Sequence, residues 1–190
     1  ISITMEAIRA FWVVSLLAIV SASKEPAGFA RETDKASSRG LHQEKWTHLR
    51  FYWHDITTGP NQTVWTITPP EQSSKVGFGG VRMSDNPLTL GRELSSKVVG
   101  RSQGMHAQAS RTDVRLLMEM NYIFTEGVYN GSSICVGGSN RILSPRRELA
   151  VVGGTGVFRF ARGYAMLTTI AFNLRTGDAV VEYNVYVSHF

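Results

Sequence analysis

The stretch VVGGTGVFRFARGYAMLTTIAFNLRTGDAVVEYNVYV, Val151 to Val187, decides the fold. Two strongly alternating apolar segments, VFRFARGYAMLTTIAFN and AVVEYNVYV, carry the period-two pattern of half-buried β-strands. Between them, LRTGDA (Leu174 to Ala179) forms a hairpin loop, with Gly177 where a positive φ is needed. GGTG (Gly153 to Gly156) invites a phosphate-loop reading, but such loops work by opening a helix whose free N-terminal amides hold the anion. Here the glycines run into a strand pattern, so they are expected to make a tight strand-to-strand corner.

Working outward, the same period recurs. In THLRFYWHDI, Leu49, Phe51, Trp53 and Asp55 share one face, and His48, Arg50, Tyr52 and His54 share the other. TVWTIT (Thr63 to Thr68) is β-branched and aromatic and is closed by two prolines. FGGVRMSD follows, then NPLT (Asn86 to Thr89), which reads as a turn. VVGRSQGMHAQAS carries Gly100 and Gly104, as a strand bending round a barrel would. DVRLLMEMNYIFT has no helical stripe and reads as a strand; SICVGG and ELAVVGG complete the set. Eight or nine short strands with no convincing helix beyond the N-terminal region imply an all-β antiparallel barrel or sandwich. An eight-stranded barrel has a central cavity with room for side chains or one small ligand.

The chain has 190 residues, enough for one domain with its own core. Hydrophobic residues make up 43% and charged residues 18%, which excludes a disordered chain. The net charge is +5, yet no run of five Lys or Arg occurs, which argues against a nucleic-acid partner. Arg9, the apolar run AFWVVSLLAIV and the small residues SAS describe a secretory leader over residues 1–23, too short to span a bilayer comfortably. Residues 24–45 read as a flexible arm and 46–190 as the folded domain. An exported, apoplastic protein with no membrane attachment after leader removal is therefore expected. The sequons at Asn61 and Asn130 are expected glycosylation sites. Cys135 is the single cysteine, so no intrachain disulfide forms; its apolar setting suggests a buried, inert thiol.

The five histidines are scattered without metal-ligand spacing, so neither a metal nor any cofactor is expected. No GxSxG elbow is present. What remains is acids and arginines on strands. Asp55 is either an end-of-strand residue reaching solvent or a cavity carboxyl with a raised pKa, fit for acid–base work. Arg147, Arg159 and Arg162 have surface ion pairs as their default role.

FYWHDI, SDNPLT, SKVVGRSQG, LLMEMNYIFTEGVYNGSSI, RRELAVVGGTGVFRFARGYA and GDAVVEYNVYV resemble, in order, the successive motifs of plant dirigent proteins, from about Leu49 to Phe190. The resemblance implies a secreted eight-stranded barrel that assembles as a homotrimer. It also implies a small phenolic substrate or radical as ligand. Dirigent proteins direct the coupling of phenoxy radicals, such as those of coniferyl alcohol, that a separate oxidase (laccase or peroxidase) makes. Some relatives instead dehydrate isoflavanols to pterocarpans through quinone methides. The resemblance places Asp55 and Arg147 in catalytic roles and Asp85 and His106 in contact with substrate. His106 stands where relatives often have tyrosine, Asn86 replaces a second acid common before PLT, and GGSNRILSPRRE lacks an aspartate that lignan-forming members often have. Three readings follow: a coupling guide without oxidase activity of its own, favoured modestly; a pterocarpan-synthase-like dehydratase; and a non-catalytic wall-binding defence module, for which the basic charge would favour pectic polymers.

Overall fold

The computed structural model describes residues 44–190. The expected leader, and all of the expected arm except Glu44 and Lys45, lie outside the described residues. Nine strands follow one another: β1 (Lys45–Asp55), β2 (Val64–Thr68), β3 (Val81–Thr89), β4 (Val98–Gln108), β5 (Leu116–Phe124), β6 (Ser133–Asn140), β7 (Arg147–Thr155), β8 (Arg162–Phe172) and β9 (Ala179–His189). From β3 to β9 each strand pairs antiparallel with the next. β9 then pairs with β1 over its whole length, from Lys45↔His189 to Asp55↔Ala179. The wall closes where β1 meets β3 at Tyr52↔Thr89 and Trp53↔Leu88. Eight strands, β1 and β3 to β9, thus form a closed antiparallel barrel. The short closing seam is tied by a side-chain hydrogen bond of 2.6 Å from His54 Nε2 to Thr89 Oγ1.

β2 takes the place of β1 beside the first half of β3, pairing Val64↔Ser84 through Thr68↔Val81. This arrangement corrects the reading of NPLT as a turn: all four residues lie in β3, with Pro87 opposite Arg101 of β4. The Asp85 amide donates to Thr63 O at 2.9 Å, so by alternation position 87 points its nitrogen to the same side. That point falls between the end of β2 and the start of the β1 seam, where no neighbour calls for an N–H. A proline fits there without breaking a ladder.

The GGTG segment ends β7 and enters a single 3-10 turn, Gly156–Phe158, before β8 begins. Gly156 has φ +62°, and a Cβ there would stand 2.5 Å from Ser132 Oγ, so the corner requires glycine. Gly104 of β4 has a different reason: a Cβ would collide with the backbone carbonyl of Glu119 on β5. The two strands can pass this closely only without a side chain, which allows the tight curvature of a small barrel.

Alternation sends Phe51, Trp53 and Asp55 inward from β1, and Val181, Tyr183, Val185 and Val187 inward from β9. The end of the barrel holding the β5–β6 and β7–β8 connections is filled by aromatic rings. Phe51 stacks on Tyr183 (centroids 5.5 Å apart), Tyr122 meets both edge-on, and Phe158 closes the end against Phe124 and Tyr129. Such contacts each add about 0.5–1.5 kcal/mol beyond area burial. Cys135 belongs to the outer face instead: Ile134 and Val136 take the inward positions, and the thiol is only half-covered. It donates to Glu119 Oε1 at 2.8 Å, and burial with that carboxylate pushes its pKa up to about 12, so the thiol stays inert.

Candidate functional site

The other end of the barrel is open. Here β1, β6 and β8 finish, β7 and β9 begin, and the interior widens into a cavity of about 700 Å³. Its walls are mainly apolar, contributed by residues such as Leu116, Met118, Leu167 and Val181, with Tyr183 at the floor beside the aromatic plug. Asp55, His106 and Arg147 all line it.

Asp55 is the last residue of β1, and of the two alternatives the structure places it as a carboxyl lining the cavity rather than one reaching solvent. Desolvation raises its pKa to about 6, against the hydrogen bond from Asn86 Nδ2 to Oδ1 at 3.0 Å and the charge of Arg82, while Asp178 adds to the rise. A carboxyl that titrates near 6 holds a useful fraction of both forms near neutrality, which general acid–base catalysis needs.

Arg147 opens β7 and is buried. Its Nη1 donates to Ile142 O at 2.8 Å and to Thr169 Oγ1 at 2.7 Å, and Nε is buried without a partner. No carboxylate is ion-paired to it among the described residues, which departs from the default expectation for a surface arginine. Burial pulls its pKa below the ordinary range, with Tyr183 opposing. Burial in turn pushes the Tyr183 phenol up to about 12, with Arg147 acting against the shift and Asp55 adding to it. The Tyr183 phenol thus lies within electrostatic reach of both the Arg147 guanidinium and the Asp55 carboxyl at the cavity floor. A guanidinium lacking its own anion in such a setting favours an oxygen that gains negative charge.

His106, inward on β4, is 5% exposed, and its Nδ1 has no partner. Burial, aided by the charge of Arg82, pushes its pKa down to about 4, so it is neutral at physiological pH.

Asp85 is not brought to the cavity, contrary to the substrate contact expected of it. On β3, Ser84 and Asn86 take the inward positions and are buried, which turns Asp85 outward. It pairs there with Arg101 Nε at 2.5 Å, and its side chain is half-exposed. The chemically relevant neighbour is Asn86, fully buried against Asp55. Asn61 and Asn130 are both exposed in turns, Asn61 near the mouth and Asn130 near the plugged end.

The reading from sequence missed two polar residues of the cavity, Trp53 and Asn140. Trp53 counted as an apolar member of its face, yet its Nε1 is buried without a partner. Asn140 sits at the end of β6, beyond the SICVGG segment read as a strand; its Nδ2 contacts Met118 Sδ at 2.9 Å and its Oδ1 has no partner. For Trp53 the alternation of β1 was a usable signal, since it already placed the indole on the inward face; for Asn140 the glycines before it left none.

Comparison with known proteins agrees with this architecture. The family model for dirigent-like proteins matches residues 46–188. Dirigent protein 21 of Arabidopsis thaliana is 47% identical over 159 residues, covering 83% of this chain and 84% of the relative. Pterocarpan synthase 1 of Glycine max is 46% identical over 154 residues, covering 80% and 83%. The solved structure of the pterocarpan synthase dirigent protein GePTS1 superposes with a TM-score of 0.75 at 43% identity, over 78% of this chain and 87% of that one. A closed eight-stranded barrel, an acid and an arginine in its cavity, and these matches lead to one statement: the chain belongs to the dirigent protein family.

Proposed function

We propose that the cavity takes a single flat phenol bearing a benzylic hydroxyl, of the isoflavan-4-ol class, and eliminates water from it through a quinone methide. One observation carries this reading: the interior offers a single titrating carboxyl, Asp55, facing a buried arginine without an anion. Two identical radicals would call for two equivalent ends, whereas this cavity carries an acid on β1 and, beyond two intervening strands, a cation on β7. The relatives include both dirigent proteins and pterocarpan synthases at similar identity, so the preference rests on the site.

The step balances as follows. Protonated Asp55 gives its proton to the benzylic hydroxyl, and the carbon–oxygen bond breaks with its electron pair leaving on water. The ring phenol para to that carbon supplies a lone pair and releases its proton to solvent at the mouth. Arg147 favours the negative charge that builds on this oxygen. A second phenolic hydroxyl of the same ligand then adds to the carbon and returns its proton to Asp55, while the re-formed phenolate takes a proton from solvent. The net change is loss of one water, without an oxidant.

Incubating the purified protein with a 2′-hydroxyisoflavan-4-ol, with no oxidase or oxidant present, tests this. Cyclised, dehydrated product is expected by mass spectrometry and is expected to be lost with Asp55→Asn. Failure to dehydrate, together with an enantiomeric excess when coniferyl alcohol is coupled by a laccase in its presence, would replace this reading with that of a coupling guide.

The protein is further proposed to act outside the cell, with glycans on the exposed Asn61 and Asn130, and as a homotrimer. Exposed Trp65, Ile67, Met83, Met105 and Leu117 on neighbouring strands β2 to β5 support self-association. Light scattering of the purified protein checks the assembly.

A further inference from the structure

Two neighbouring loops at the open mouth are held very differently. The loop from β4 to β5, residues 109–115, is pinned by the buried side chain of Gln108. Gln108 Nε2 donates to Ser110 O at 3.0 Å and to Asp113 O at 2.7 Å, and the Arg115 amide donates to Gln108 Oε1 at 3.2 Å. The Ala109 amide closes the same loop on Arg115 O at 3.0 Å. A side-chain amide can donate and accept at once, so it can fix a loop as a strand neighbour would. Asp113 therefore stands on a firm mount.

The loop from β6 to β7, RILSPR (Arg141 to Arg146), relies on its surroundings. Within it, the Ser144 amide donates to Arg141 O at 2.9 Å. Arg141 Nε reaches over to Asp113 Oδ2 at 2.8 Å, and the next residue's carbonyl, Ile142 O, accepts from Arg147 Nη1 at 2.8 Å. Leu143 lines the cavity yet is 67% exposed, so an occupant of the mouth would cover it. Contacts thus run from the fixed loop through Asp113, Arg141 and Ile142 to the guanidinium in the cavity. Ile142 O and Thr169 Oγ1 together aim that guanidinium, and losing the first leaves it with one acceptor. The side chains of Arg141 and Asp113 are 56% and 29% exposed. Ion pairs so open to water are weak and reopen readily, which suits a catch better than a strut.

We infer that the Asp113–Arg141 pair is a latch holding the β6–β7 loop over the cavity mouth. Asp113 and Arg141 are then positioning residues that act through Ile142 on Arg147, and Leu143 is the part of the loop that covers the ligand. This deepens the dehydration reading and, for its effect on rate, rests on it.

Asp113→Ala and Arg141→Leu test the latch, each checked for folding by thermal melting, with Arg141→Lys as the variant that keeps the charge. Amide hydrogen exchange of the ligand-free protein reads the loop directly. Both variants are expected to speed exchange at Ser144 about 2- to 5-fold, the worth of one half-exposed ion pair, while the Ala109 amide is unchanged. Arg147 favours charge that develops in the transition state, so both variants should lower kcat on a 2′-hydroxyisoflavan-4-ol by a similar factor at unchanged KM. Combined, they should do no more than either alone, and Arg141→Lys should keep most of the rate. Leu143→Ala should instead raise KM at unchanged kcat. It should also weaken binding of 7,2′-dihydroxyisoflavan, which lacks the benzylic leaving group, in calorimetry. Unchanged exchange at Ser144 in both variants would overturn the latch, whether or not the wild type dehydrates its substrate. Faster exchange with full kcat would overturn the positioning of Arg147. A wild type that dehydrates nothing would overturn the dehydration reading alone, and exchange at Ser144 would still decide the latch.

Discussion

Below the level of Tyr183 the barrel interior is full. Phe51, Tyr122, Tyr183, Phe124 and Phe158 form a continuous set of stacked and edge-on rings, and all are buried. Above it, the same strands, continuing the same alternation, present Asp55 after Trp53 on β1 and Arg147 before Leu149 on β7. They surround about 700 Å³ of space. Several polar atoms there, Trp53 Nε1, His106 Nδ1, Asn140 Oδ1 and Arg147 Nε among them, are buried without partners. One half is optimised for stability and the other is held open by it. Consistency between pattern and packing specifies a fold, and the places where it lapses mark function.

The sharpest way to break this comparison is to mutate both halves and read both outputs. Asp55→Asn should lower the dehydration rate about 10²- to 10⁴-fold, the usual loss on removing a positioned general acid. It should leave the melting temperature unchanged or slightly raised, since it removes a desolvated carboxyl. Phe51→Ala should do the reverse, destabilising by about 3–5 kcal/mol in chemical denaturation through loss of the central ring of the plug. A large stability loss in Asp55→Asn, or a fully stable Phe51→Ala, would show that the two halves do not divide the work in this way.

Much of this division was legible in the sequence. Alternation alone put Asp55 on the face of Phe51 and Trp53, and the eight-stranded closure followed from strand count and family resemblance. Arg147 could be placed in the cavity only by resemblance, because a lone arginine at a strand start looks like a surface residue until its neighbours are known. Asp85 and Asn86 were exchanged in role for a local reason. The proline after them suggested a turn, and without a continuous strand through Pro87 the parity of the two positions was undefined. Asn140 was hidden by the glycines before it, which leave no apolar alternation to extend.

A smaller effect separates the two regions by pH. The unfolded chain releases the Asp55 proton near the ordinary carboxylate pKa, while the folded chain keeps it up to about 6. Between about pH 4 and 6 the folded state therefore binds more protons through this group, and stability falls as pH rises, by about 1–3 kcal/mol in all. Two groups oppose this trend. His106, pushed down to about 4, gives stability that grows as pH rises from about 4 to the ordinary histidine range. Glu182, on the outer wall with Arg50 and Tyr52 and pulled down to about 2, gives stability that is lost as pH falls towards that value. The informative quantity is thus the difference between wild type and Asp55→Asn. The variant should gain relative stability steadily from pH 4 to 6 and hold it above; a flat difference would mean that the carboxyl titrates normally.

The smallest effect concerns what holds Asp55. Asn86 is fully buried, donates to Asp55 Oδ1 at 3.0 Å and leaves its own Oδ1 without a partner. That hydrogen bond favours the carboxylate and so restrains the rise that burial imposes. Asn86→Leu, close in volume, removes the restraint, and the Asp55 midpoint should move upward, with the acid-dependent fall in dehydration rate moving to higher pH alongside it. Asn86→Asp puts a second carboxyl at the same spacing. Two carboxylates so close cannot both ionise, so the pair shares a proton and its upper apparent pKa should rise further than in the leucine variant. Carboxyl carbon NMR titration gives the midpoints directly, and the pH–rate profile gives them again in the presence of substrate. The order wild type, Asn86→Leu, Asn86→Asp in both measurements is expected if Asn86 positions and tunes the acid. A midpoint that stays in place in Asn86→Leu would assign the Asp55 pKa to burial alone and reduce Asn86 to packing.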